Sequence, residues 1–225
     1  MRLSLALSLT DDSDFNPLSL FTSSLGAVYD PSDASPLTDK TGNGWNLTAS
    51  GAGAAPVSNY LSFDGTAYFD IANRGSLLSG WTAGTAIYAV QAGSETPAAN
   101  RGGLLGFFSG QEENYPLNNG ELVAAFGTNT KQQIADPGTI TNWNTIDQRA
   151  DSSNFRVAFN STEIYNRGSN TVAFTTGHPS YPRIGDNGYI GTHFIGKMGR
   201  MILINRVLEG AELADARAWV AAPYA

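Results

Sequence analysis

Lys197-Met198-Gly199-Arg200-Met201-Ile202-Leu203-Ile204 runs through Asn205-Arg206-Val207-Leu208 into a segment of helical pattern, Glu209 to Val220. The aliphatic run reads as a strand and the segment after it as one short helix. Almost everything upstream reads as short β-strands, Gly/Asn/Asp turns and polar loops. An all-β chain closed by a strand and a small helix leaves few fold choices.

The helix has a local cause. Glu209-Gly210-Ala211-Glu212 has capping-box spacing, which predicts that Glu212 reaches back to the N-cap amide. Leu208 and Leu213 stand at N′ and N4 of that helix, where a hydrophobic staple forms. Leu213, Ala216 and Val220 share one stripe with Trp219 beside it, and Pro223 blocks continuation. A helix of about three turns is marginal alone, so docking on a sheet is expected.

The 225 residues suffice for one large sandwich or two small domains. Only 15% are charged, which suits a β protein with long polar loops. The net charge of −7 and the lack of a Lys/Arg cluster argue against nucleic acid as a partner. The absence of cysteine excludes disulfides, thiolate metal sites and a cysteine nucleophile. Met1 to Leu9 places Leu3, Leu5, Leu7 and Leu9 on one face of a strand, and no small-x-small cleavage site precedes Asp11 and Asp12. The segment is therefore read as a strand rather than a secretory signal. No stretch approaches the ~20 apolar residues of a membrane span.

Asn16-Pro17 reads as an N-cap and first-turn proline before Leu18, Phe21 and Leu25. Ala27-Val28-Tyr29 is a short strand, Asp39 to Gly44 a loop, and strand resumes at Trp45–Ala49. Gly51 to Pro56 reads as a small-residue connection. Tyr60–Phe63 and Thr66–Ile71 flank Asp64-Gly65, a hairpin signal. Further strands are expected at Thr85–Gln91, Gly103–Phe108, Glu121–Gly127, Thr145–Arg149, Phe155–Phe159, Glu163–Tyr165, Thr171–Phe174 and Pro182–Ile184. Hairpins are expected at Asp151–Asn154 and at Asn160-Ser161. Many short strands with no fixed repeat predict a two-sheet sandwich rather than a propeller or a parallel α/β fold.

The order of segments resembles the concanavalin A-like jelly-roll superfamily in its laminin-G-like branch. The residues that carry the likeness are Asp39-Lys40-Thr41-Gly42-Asn43-Gly44, Leu61-Ser62-Phe63-Asp64-Gly65 with Tyr68-Phe69-Asp70-Ile71, and Trp143-Asn144-Thr145-Ile146. Phe155 to Asn160, Arg183-Ile184-Gly185, Phe194 to Arg200 and Leu203 to Leu208 with the terminal helix complete it. The likeness implies an all-β, two-sheet antiparallel jelly-roll sandwich (concanavalin A-like) with a short C-terminal helix, covering residues 26–225, after an N-terminal arm and short helix at residues 1–25. Leu18 to Phe21 and Gly26 to Asp33 are similar to the opening of phage-encoded members found in virion tail, fibre or head-decoration proteins. Fold does not imply function, so these expectations need a site.

Some relatives of the fold are glucanases with two carboxylates alternating on one strand. No such run occurs here: Glu112 and Glu113 are adjacent, so on a strand they would point to opposite faces, and they fall in a polar loop, Gly110 to Asn119. His178 and His193 read as loop or solvent histidines, and no nucleophile-elbow motif accompanies them. Asp39 with Asn43, or Asp186 with Asn187, offers oxygen ligands suited to calcium, although such loops ordinarily form turns. Sugar contact generally uses loop aromatics with nearby amides and carboxylates. That pattern selects Tyr115 with Asn118 and Asn119, and Tyr181 with Asp186, Asn187 and Tyr189. Trp45, Trp81, Trp143 and Trp219 adjoin strands or the helix and read as core. The leucine-alternating arm either pairs with a neighbouring subunit or joins its own sandwich.

The expectation from sequence is a non-catalytic structural or host-surface glycan-binding component of a bacteriophage virion. Its partners would be other virion proteins, copies of itself in a homo-oligomer such as a trimer, and a cell-surface glycan. No cofactor is expected, with calcium the one candidate considered. The alternatives are a free, extracellular lectin-like module and, behind it, a glycan hydrolase.

Overall fold

The computed structural model describes residues 15–93, 102–108, 111–117, 120–174, 182–187 and 193–225. The leucines of the N-terminal arm (Leu3, Leu5, Leu7, Leu9) and the predicted contact residues Asn118, Asn119, Tyr181 and Tyr189 lie outside the described residues, as does His178.

In chain order the described strands are β1 (Gly26–Tyr29), β2 (Leu47–Ala49), β3 (Ala54–Val57), β4 (Tyr60–Asp64), β5 (Phe69–Ile71), β6 (Gly84–Ala92), β7 (Gly103–Phe108), β8 (Gln111–Asn114) and β9 (Leu122–Ala124). They continue as β10 (Gly127–Thr128), β11 (Gln132–Ile134), β12 (Asn144–Ala150), β13 (Phe155–Phe159), β14 (Thr162–Arg167), β15 (Val172–Ala173), β16 (Arg183–Ile184) and β17 (Ile195–Ile204). The helices are α1 (Arg74–Leu77) and α2 (Gly210–Ala221). One sheet runs β14-β13-β12-β6-β17-β4-β3, with β1 also paired to β17; the other runs β11-β9-β8-β7-β16-β5-β2. Every pairing within these two sheets is antiparallel. The expected two-sheet sandwich with a short C-terminal helix is the fold.

Strand alternation explains where the core sits. In β6, Ala86, Tyr88, Val90 and Ala92 point between the sheets, while Ile87 and Ala89 point the other way. In β17, Met201 and Leu203 point between the sheets, while Ile202 and Ile204 point away. These outward residues are covered by α2 through Leu213, Ala216, Trp219 and Val220. Both faces of the central strands are therefore buried, and their sequences read as nearly continuous apolar runs. Leu208 is fully buried in the same cluster as Leu213, as the staple predicted.

The cap differs from the expected box. Glu209 is the N-cap in extended conformation but makes no side-chain cap bond. Its carboxylate instead pairs with Arg149 and Arg156, and Glu212 pairs with Arg206. Arg149 also bonds Asp147 at 3.0 Å and Glu163 at 3.3 Å, and Arg217 of α2 reaches the second oxygen of Asp147 at 2.7 Å. Sheet arginines thus take Glu209, and Arg206 in the turn after β17 takes Glu212, away from the helix start to which local spacing assigned them. Burial pushes the Asp147 carboxyl above its usual range despite the two arginines beside it.

Three other expectations change. Asp64-Gly65 is not a hairpin turn: β4 pairs with β3 and β17 in one sheet, and β5 lies in the other. Gly51–Pro56 contains part of a strand, β3, rather than a plain connection. The polar stretch around Glu112 and Glu113 is strand β8. The hairpins at Asp151–Asn154 and Asn160-Ser161 form as expected, and both residues of the second turn have positive φ, 47° and 66°. Asn16 accepts from the Leu18 amide at 3.0 Å, but the element it caps is a 3-10 turn, Pro17–Phe21.

A bulge in β17 between Met198 and Met201 aims Arg200 at the C-terminal end of α2. Its guanidinium lies 4.5 Å from the Trp219 ring, donates to the Trp219 carbonyl at 2.9 Å and bonds Asp30 at 3.0 Å. Tyr224 folds over the bulge and packs on Trp143 at 4.2 Å. Trp143 is therefore half-buried beneath Tyr224, whereas Trp45, Trp81 and Trp219 are core. A Cβ on Gly199 would lie 2.3 Å from the Tyr224 ring. Gly199→Ala is expected to destabilise by about 1–3 kcal/mol through overpacking, and Trp219→Ala by about 3–5 kcal/mol through the cavity it leaves. Urea unfolding checks both; a Gly199→Ala midpoint equal to wild type would contradict the packing described.

Candidate functional site

On the sheet containing β5 and β16, inward Phe69, Ile71 and Ile184 alternate with outward Asp70 and Arg183. Register places Thr48, Asp70, Arg183 and Gly106 side by side across four strands. Thr48 stands at the sheet edge, the charged pair Asp70 and Arg183 comes next, Gly106 adds no side chain, and Glu112 of β8 follows in register.

Arg183 organises the row. Its Nε donates to Asp70 Oδ1 at 3.2 Å and its Nη1 to Asp186 Oδ2 at 2.8 Å. The guanidinium lies 4.2 Å from the centre of the Tyr68 ring, a cation–π contact. Arg74, from α1, donates to the same oxygen of Asp70. Burial works against the Arg183 charge, yet Asp186, Tyr68 and Asp70 together hold it more firmly protonated than a free arginine. His193 stands on the other side, its ring 5.3 Å from Tyr68 and its Nδ1 3.7 Å from Asp186 Oδ1.

Local turns set this geometry. Gly185, at φ 82°, turns the chain after β16 so that Asp186 comes back to Arg183 three residues earlier. A Cβ there would lie 2.2 Å from the Phe63 ring, so only glycine fits. Asn73 is also left-handed, at φ 51°, and starts the short helix α1. Ser76 of that helix is tied down by the Trp45 indole N–H at 3.1 Å. Between β2, β5 and α1 lies an open cleft of about 730 Å³ lined by Thr48, Asp70, Ala72, Asn73, Arg74 and Gly75. That size falls within the usual range for ligand sites.

The three predicted contact residues that are described, Tyr115, Asp186 and Asn187, are buried. Tyr115 is fully buried in the core, with its ring 6.1 Å from Phe159 and its hydroxyl accepting from Asn144 at 3.3 Å. It presents no face to a ligand. Asp186 and Asn187 are buried, at 2% and 3% exposure, so they support the surface rather than form it. Asn187 donates to Asn114 of β8 at 2.6 Å. The structure brings Asp186 together with Tyr68, Asp70, Arg74 and Arg183, none of which loop composition singles out. The signal was strand alternation: a charge at the outward position between two buried apolar residues.

The calcium candidates form a hydrogen-bonded knot instead of an oxygen cage. Asp39 Oδ1 accepts from the Val28 and Thr41 amides at 3.2 and 3.0 Å and from the Thr41 hydroxyl at 2.8 Å. Asn43 turns its N–H₂ toward the Gly26 carbonyl and Thr41. Among the described residues, no three His, Cys, Asp or Glu side chains converge as metal ligands.

The most perturbed carboxyl lies inside the sandwich. Glu113 is fully buried and accepts from the Tyr88 hydroxyl, which in turn accepts from Gln148 Nε2 at 3.0 Å. Gln148 Oε1 takes the amides of Ala125 and Phe126 at 3.2 and 3.1 Å, so the chain of bonds joins the two sheets. Glu113 Oε2 has no partner among the described residues, and burial pushes the carboxyl up to about 8.

No protein-family model matches the sequence, and no curated protein matches it. Solved structures do match. Domain 4 of AbnA, an extracellular GH43 arabinanase from Geobacillus stearothermophilus, in complex with arabinotriose, aligns with TM-score 0.63 at 15% identity, over 87% of this chain and 97% of that one. Trypanosoma rangeli sialidase in complex with sialic acid aligns with TM-score 0.58 at 16% identity, over 89% of this chain and 33% of that one. The binding domain of Paraclostridial Mosquitocidal Protein 1 aligns with TM-score 0.58 at 13% identity, over 89% of this chain and 51% of that one. This chain therefore spans about a third of the sialidase and half of the toxin's binding domain. At these identities the likeness establishes a shared β-sandwich fold.

The buried carboxyl sets a pH dependence. Between pH 4.5 and about 8 the folded protein keeps the Glu113 proton that the unfolded chain has lost. Stability from this group is thus full below the lower value and is lost as pH rises toward the upper one, by up to about 1.4 kcal/mol per pH unit. Glu113→Gln is expected to flatten that slope. Parallel melting-temperature curves for wild type and variant from pH 5 to 8 would refute the buried proton.

Proposed function

We propose that this protein is a carbohydrate-binding β-sandwich domain whose glycan lies in the cleft between β2, β5 and α1, over the Tyr68–Arg183–Asp70 cluster. The supporting observation is that Asp70 and Arg74 line an open cleft of about 730 Å³, with Arg183 bonded to Asp70 and stacked on Tyr68 beside it. Fixed donors and acceptors of this kind orient hydroxyls, and the cleft has room for more than one sugar ring. A sandwich aligned over nearly its whole length with an arabinotriose-bound domain supports the same reading. None of the three structures described above is a virion protein. The virion setting therefore rests on the resemblance of Leu18 to Phe21 and Gly26 to Asp33 alone, whereas a lectin-like module draws support from fold and cleft together.

Gly75 offers a clean test. A Cβ there would meet nothing within 4 Å, so a large side chain can fill the cleft without disturbing its frame. Gly75→Phe is expected to keep the wild-type melting temperature and to abolish binding on a glycan array. Arg183→Ala, which removes one of the two donors holding Asp70 in place, is expected to weaken binding at least about tenfold. Unchanged glycan binding by a folded Gly75→Phe protein would exclude this cleft.

A further inference from the structure

Among the described residues, both arginines at the cleft are paired with carboxylates. Arg74 and Arg183 both donate to Asp70 Oδ1, and Arg183 spends its other arm on Asp186. Among the described residues two cations thus meet two carboxylates, and each guanidinium already holds an acid. The remaining oxygen, Asp70 Oδ2, carries no hydrogen bond among the described residues, and the Asp70 side chain is 34% exposed. The group that the frame leaves for a ligand is thus an anionic acceptor, within a chain of net charge −7.

From this balance we propose that the cleft selects uncharged glycans and rejects those bearing carboxylates, such as sialic or uronic acids. The inference rests on the reading of the cleft as a glycan site. A sugar hydroxyl donates to Asp70 Oδ2 in a charge-assisted bond, which is stronger than a neutral one. A carboxylate placed there faces a like charge, and both nearby arginines already have partners. The negative field of the whole chain also slows the approach of an anion.

The same frame makes the selectivity reversible. Asp70→Asn preserves shape but removes the charge that balances Arg74 and Arg183. Neutral glycans lose their anionic acceptor, and acidic glycans gain two under-compensated cations.

Isothermal titration with arabinotriose and maltotriose as neutral probes, and with sialyllactose and trigalacturonate as acidic ones, tests this on the full chain. Wild type is expected to bind at least one neutral probe and to bind both acidic probes at least about tenfold more weakly, the scale of one charged hydrogen bond. Asp70→Asn is expected to lower neutral binding by about 10- to 100-fold and to improve the acidic probes relative to wild type. Wild-type binding of an acidic probe as tight as any neutral one, abolished by Gly75→Phe, would overturn the selectivity while leaving the glycan site intact. No binding to any glycan on a broad array would instead overturn the site reading itself. Should Asp70→Asn fail to fold, the wild-type comparison and the Gly75→Phe control still decide the proposal.

Discussion

The architecture depends on burying both faces of β6 and β17. One face meets the second sheet and the other meets α2, so Ile87, Ala89, Ile202 and Ile204 need the helix as much as Tyr88 and Met201 need the opposite strands. The links at the helix ends serve this docking. Thr85 donates to the Arg206 carbonyl at 2.8 Å and accepts from the Leu208 amide at 2.9 Å, which fixes the turn into α2. Arg200 holds the far end. A short helix with little stability of its own becomes permanent because an apolar sheet face would otherwise be wet.

Carboxylates in this protein take three roles set by surroundings rather than by residue type. Asp147 lies under α2 and shares two arginines in an ion network that fastens helix to sheet. Glu113 lies between the sheets with no cation beside it among the described residues, and burial raises its carboxyl to about 8. Asp70 lies at the edge of an open cleft, paired on one oxygen only. Burial without a counter-charge favours the neutral acid, while pairing at a surface favours the carboxylate.

Much of the fold could be read in advance. Period-two apolar patterning located most strands, and the staple of Leu208 and Leu213 placed the helix start. The errors were at polar residues. Glu209 and Glu212 have the spacing of a capping box, yet Arg149 and Arg156, distant in sequence, claim the first and nearby Arg206 the second. Asp64-Gly65 has the form of a hairpin turn, yet the chain there passes from one sheet to the other. Tyr115, flanked by asparagines, has the composition of a binding loop, yet its ring fills the core.

The amino-acid sequence by itself determined the fold class, the strand faces and the closing helix, because alternation and capping are local properties carried by a few neighbouring residues. Only the tertiary structure decided which polar groups would meet. Asp70 and Arg74 lie on one stretch and Arg183 and Asp186 on another; strand register brings the two together, and the turn at Gly185 returns Asp186 to Arg183. Electrostatic partnership depends on distance in space, and distance along the chain does not encode it.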